Sequence, residues 1–156
     1  MKTRSFVASA LAAAVAGLPA VAAQIAADNP QSIVDALTVA GYRAELKTDD
    51  LGDPLVLSSA AGAGFPIAVH GRTNGAACTS VAFQTGHDLE GGTTPAAVNR
   101  RNAENRYAKA HLDDENDPCL EMDINLEAGG MADALFMANV RLWEESTGAF
   151  QTHIGW

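Results

Sequence analysis

Beyond its first two dozen residues the chain has no long apolar run, so no later stretch is expected to cross a bilayer as a helix. Basic residues are also scarce: ten Lys and Arg stand against nineteen Asp and Glu, for a formal charge of −9. That balance argues against nucleic acid and anionic lipid as partners, while favouring solubility and leaving basic partners open. Aromatic residues make up only 6%, yet hydrophobic residues reach 47%, which keeps the chain in the globular class. There are two cysteines, so the chain cannot be a multiply stapled scaffold. Also missing are a H-x-x-x-H metal spacing, a G-x-S-x-G nucleophile frame and a glycine-rich phosphate loop. Gly62-Ala63-Gly64 precedes a strand rather than a helix.

What is present begins with an address. Lys2 and Arg4 form a basic start, residues 6–18 an apolar alanine-rich run, and Pro19 leads to Val21-Ala22-Ala23. This is the layout of a secretory signal peptide, residues 1–23, with cleavage expected after Ala23 or one residue earlier. The apolar run is short for an uncleaved anchor, and no cysteine follows it to take a lipid. The expected location is the periplasm or the exterior, with no stable membrane insertion after cleavage. Removing residues 1–23 from the 156 leaves 133 and moves the formal charge to −11. A domain of that size buries about 65–70% of its unfolded surface without staples.

The clearest secondary-structure signal lies in residues 106–126, where two strand-like runs flank an acidic turn ending in proline. Leu120, Met122, Ile124 and Leu126 fall on one face at period two, and Cys119, Glu121, Asp123 and Asn125 on the other. That pattern predicts an antiparallel sheet with one apolar and one polar face. Residues 24–29 read as a flexible N-terminus. Asn29 and Pro30 start a helix with Ile33, Val34 and Leu37 as its stripe, and Gly41 ends it. Tyr42, Ala44 and Leu46 alternate with Arg43, Glu45 and Lys47. After a turn at residues 49–54 the return strand spans residues 55–59. Phe65, Ile67 and Val69 mark a third strand, with Pro66 suggesting an edge or a bulge. Asn74-Gly75 suits a hairpin turn, and residues 78–85 a fourth strand.

Thr94 and Pro95 open a second helix, whose thin stripe is Ala97 and Val98 with Ala103 beside Arg101. Gly129-Gly130 precedes a third, from about residue 131 to 147, with Leu135, Phe136, Val140 and Trp143 on its stripe. One pattern recurs. Asp49, Asp50, Asp53 and Pro54 return 64 residues later as Asp113, Asp114, Asp117 and Pro118. The predicted fold is one α+β domain over residues 30–156, an antiparallel sheet with helices packed on it, using the same hairpin twice.

Each candidate site has a plainer explanation. Asp113, Glu115 and Asp117 alternate like calcium ligands, but Pro118 replaces the required glycine and Ile124 the closing glutamate. Solvated acidic turns, whose aspartates bond back to the backbone, explain the same residues. His70, His87, His111 and His153 have no ligand spacing, and His87 and Asp88, adjacent on an extended chain, point apart. Ser58, Ser59 and Ser80 sit in strands or turns, and the sequence places no histidine beside Cys78. An oxidising compartment allows Cys78 and Cys119 to pair; the alternatives are two separate thiols or an intermolecular link. Glu121, Asp123 and Asn125 form a candidate interaction face. No catalytic residue, cofactor or metal is expected.

The segments IVDALTVAGYRAEL, GDPLVLSSA, TNGAACTSVAF, VNRRNAENRYAKAHLDDENDPCLEMDINL and HIGW, in that order, resemble the YbjN family, whose members are called sensory-transduction regulators. The resemblance covers residues 33–156. It implies a fold like that of type III secretion chaperones, and it brings no established catalytic residues. Exported relatives often have cysteine where Arg72 stands, so a local disulfide to Cys78 cannot form here, and Cys119 becomes the substitute partner. Relatives commonly have tryptophan near Arg101, so arginine there removes an apolar anchor. The expected function is therefore an exported, non-catalytic, regulatory or chaperone-like module that binds an unidentified polypeptide and can form a homodimer. A small-ligand or cation sensor and an envelope hydrolase with a His/Asp site are the alternatives.

Overall fold

The computed structural model describes residues 24–71 and 78–156. Its elements in order are β1 (Gln24–Ile25), α1 (Pro30–Val39), β2 (Ala44–Thr48), β3 (Pro54–Ala60), β4 (Ala63–His70) and β5 (Ser80–Gly86). Then follow α2 (Pro95–Glu104), β6 (Lys109–Leu112), β7 (Pro118–Asn125), β8 (Met131–Ala132) and α3 (Asp133–Ile154). Six strands form one antiparallel sheet in the order β2-β3-β4-β5-β7-β6, and β1 pairs separately with β8. This is the expected α+β architecture.

Alternation decides which face carries the helices. Val56, Phe65, Ile67, Val69, Val81, Phe83, Leu120, Met122 and Ile124 are buried and share one face. Trp143 of α3 meets that face, with its ring 5.8 Å from both Phe65 and Phe83. Phe136 adds a ring at 6.0 Å from Phe83. Among the described residues all three helices cover this side, and none covers the opposite, outer face of the sheet.

The repeated turns are built alike. In the first, the Asp49 carboxylate accepts from the N–H groups of Leu51 and Asp53 at 2.9 and 2.8 Å. In the second, the Asp113 carboxylate accepts from Glu115 and Asp117, both at 2.9 Å. Each turn has one left-handed residue at the same position, Gly52 (φ 86°) and Asn116 (φ 65°). Glycine and asparagine tolerate that conformation best. Pro66 marks neither an edge strand nor a bulge: β4 is an interior strand and Pro66 pairs in register with Leu57, but β4–β5 pairing stops at Ile67–Phe83, where proline has no N–H to offer the next rung.

Several expectations need correction. Residues 24–29 are anchored, not flexible: Gln24 and Ile25 pair with Ala132 and Met131, and Ile25 and Ala27 are buried. Asn29 makes no side-chain cap; its carbonyl instead accepts from the Ser32 hydroxyl at 2.6 Å. In α3, Leu135 is exposed and Met137 takes its place in the core. That helix also continues through Gly148, because Thr147 and Phe150 are buried on its core face. Their burial outweighs the roughly 1 kcal/mol that glycine costs in a helix. The signal peptide, the Asn74-Gly75 turn and Arg72 lie outside the described residues.

The second helix is anchored by a residue that read as a weakness. Thr94 caps α2 by accepting from Ala97 N–H at 3.2 Å. Arg101, only 2% exposed, fills the gap beneath it. Its guanidinium donates to the Ala108 carbonyl and stands 5.8 Å from the centre of the Phe150 ring.

Candidate functional site

The outer face presents side chains from every strand of the sheet, and its shape follows from where side chains are missing. Gly64 on β4 and Gly86 on β5 contribute none, and Pro66 lies between them without a bonded neighbour on β5. Two shallow depressions meet at Pro66. One, of about 330 Å³, is lined by Arg43, Glu45, Leu57, Ser59 and Gly64. The other, of about 300 Å³, is lined by Gln84, Gly86, His111, Cys119 and Glu121. Together they form an open trough across the strands, apolar at its floor and charged at both ends.

The predicted row on β7 is on this face. Glu121 is half-buried and accepts from the Gln84 amide at 3.0 Å. Asp123 is exposed and bonds to no described residue, and the Asn125 side chain accepts from Glu127 N–H at 2.8 Å. These residues run in line along one strand, about 7 Å apart, so they form an edge to lean on rather than a converging site. Only Glu121 borders the trough.

Cys78 and Cys119 are not brought together. Gly86 pairs with Cys119, whereas Thr79, next to Cys78, accepts from Leu126 N–H. The antiparallel register therefore sets the two thiols at opposite ends of β7, about 25 Å apart, far beyond disulfide reach. Both are free. Burial, and then Asp113, Asp117 and Glu121, push the Cys119 thiol up, so it stays protonated and unreactive.

The histidines are dispersed. His70 and His111 are exposed on β4 and β6, and His153 sits 3.0 Å from the Ala97 carbonyl, tying α3 to α2. His87 is buried, with its ring 5.7 Å from that of Phe150 and 4.8 Å from that of Trp156. Gly155, left-handed at φ 77°, ends α3, and Trp156 N–H bonds the Gln151 carbonyl. This closing turn brings the indole of the HIGW motif over His87. Ser58 faces the helices and is buried. Among the described residues no group of three or more His, Cys, Asp or Glu side chains is placed to hold a metal. No helix among them is long and apolar enough to cross a membrane.

Burial alone holds the His87 imidazole below its ordinary value. The unfolded chain then takes up this proton more readily than the folded one. The contribution is present in full above about pH 6.5 and is lost as pH falls from there towards the depressed folded value. His87→Phe should therefore flatten this part of the pH dependence of Tm, leaving the carboxylate-driven decline at lower pH. An unchanged profile between pH 7 and 5 would contradict it.

Sequence reasoning missed Asn102. Its amide donates to the Ala110 carbonyl at 2.9 Å and accepts from the Ala110 N–H at 2.8 Å. The side chain thus takes the place of a neighbouring strand and closes the β6 edge. An asparagine in a polar helix stretch gave no signal of this.

No curated protein matches the chain. The family model YbjN, described as "Putative bacterial sensory transduction regulator", matches residues 29–156. That span takes in all three helices and the six-stranded sheet with its outer trough, and the chain belongs to the YbjN family.

Proposed function

We propose that this protein is exported and acts as a non-catalytic regulatory module, binding a segment of another polypeptide across the outer face of its sheet. The observation that carries this reading is the trough at Pro66, covered by no helix among the described residues and bordered by Leu57, Gln84 and Glu121. An open groove with an apolar floor and polar ends suits an amphipathic chain segment better than a small enclosed ligand. The acidic turns, which suggested a cation sensor, already use Asp49 and Asp113 to hold backbone N–H groups. Export is supported by the layout of residues 1–23.

The test is Gly64→Leu. A Cβ at Gly64 would come no closer than 3.9 Å to another atom, and the backbone there needs no left-handed conformation. Leucine should fill the trough while leaving Tm within a few degrees of wild type. Stoichiometric polypeptide recovered with the wild type from the host envelope should be lost with this variant. Equal recovery by both proteins would overturn the reading.

A further inference from the structure

The two related hairpins end the sheet differently. In the β6–β7 hairpin, Asp113 N–H bonds the Asp117 carbonyl, and bonded rungs then alternate, so Lys109 and His111 face β7. Ala110 presents its N–H and carbonyl outward, where Asn102 closes both. In the β2–β3 hairpin the Asp49 N–H bonds the Asp53 carbonyl in the same way. The same alternation turns the backbone groups of Ala44, Leu46 and Thr48 outward. Leu46 is the counterpart of Ala110, 64 residues earlier. No described residue bonds to this outer edge.

We infer that a second copy of this chain closes the edge, β2 pairing antiparallel with β2 about a twofold axis at Leu46. The residues are self-complementary in that register. Leu46, 39% exposed, meets the partner's Leu46 on the helix side of the sheet. On the outer face Glu45 stands opposite the partner's Lys47, and Lys47 opposite the partner's Glu45. Arg43 meets the partner's Asp49 at each end. In the single chain Glu45 and Lys47 bond each other at 2.5 Å, so the dimer exchanges a neighbouring pair for cross-strand pairs. Centring the axis on residue 45 or 47 would keep the outward backbone groups paired but face like charges, Glu45 against the partner's Glu45 or Lys47 against the partner's Lys47. Registered edge pairing extends a sheet with main-chain hydrogen bonds, as in strand addition to a free edge.

This inference does not rest on the trough: Gly64→Leu should leave the dimer intact, and Leu46→Pro should abolish it. Leu46→Pro removes only an outward N–H, because the bonds of β2 to β3 use the neighbouring residues. The experiment expresses the full chain and follows the purified product by sedimentation velocity over a concentration series. The wild type should dimerise. Glu45→Lys and Lys47→Glu should each weaken the dimer about tenfold or more. An equimolar mixture of those two variants should recover wild-type dimerisation as a heterodimer, which a misfolded variant could not do. A wild type that stays monomeric, a dimer unaffected by either charge reversal, or a mixture that fails to recover would each overturn the proposal.

Discussion

Arg101→Ala is expected to destabilise the protein by about 3 kcal/mol, while Arg101→Met stays within about 1 kcal/mol of wild type. Arg101 is buried among Ala108 and Phe150, and no carboxylate among the described residues pairs with it. Its charge is tolerated because the Ala108 carbonyl, the Phe150 ring face and the last turn of α2 all favour a cation. Burial still holds its pKa below the usual guanidinium value, the sign of an unfavourable desolvation. Methionine keeps most of the volume and sheds that desolvation, offsetting the lost hydrogen bond. Alanine leaves a cavity under α2. Thermal unfolding should show Tm down by about 10 °C for alanine and only a few degrees for methionine. Equal losses for the two would mean that the charge, not the packing, holds α2 in place.

Gly130→Ala should cost about as much, by a different route. Gly130 is left-handed at φ 91°, and a Cβ there would stand 2.1 Å from the Ile25 carbonyl oxygen. Backbone cannot yield at that distance, so β1 must leave β8 and carry Ile25 and Ala27 out of the core. Exposing Ile25 and straining the alanine together cost about 3 kcal/mol. Gly129→Ala is the control: it is also left-handed, but its Cβ would meet only the Gln24 side chain at 3.8 Å, so it should cost about 1 kcal/mol. Amide exchange at residues 25–27 should accelerate strongly in Gly130→Ala and little in Gly129→Ala. Unchanged protection in both would show that β1 does not depend on this close approach.

Much of this architecture could be read from local pattern. The alternation through residues 118–126 predicts the two faces of β7, and the repeated aspartates predict the braced turns, because both depend on neighbours within a few residues. Features decided by distant pairing could not be read in this way. The thiols of Cys78 and Cys119 are far apart because β7 adds beside β5 with Gly86 opposite Cys119, a register that no local signal specifies. Two-residue strands such as β1 and β8 are too short to show a period. Arg101 read as the loss of an apolar anchor and Asn102 gave no signal, yet one fills the core and the other closes a sheet edge, since burial and edge position are set by the fold around them. The trough was legible only in part: alternation places Glu121 on the polar face of its strand, but Gly64, Pro66 and Gly86 acquire meaning only when adjacent strands bring them together.

The face of the sheet away from the helices is proposed to be the surface that meets another polypeptide. Site-specific photo-crosslinking in the living host tests this most directly, with the reactive side chain placed at Leu57 or Asp123 on the outer face and at Ala138 or Glu145 on α3. Crosslinks to a discrete polypeptide from the outer-face positions, suppressed by Gly64→Leu and absent from the helix positions, are the predicted result. Crosslinks from α3 with none from the outer face would contradict the account.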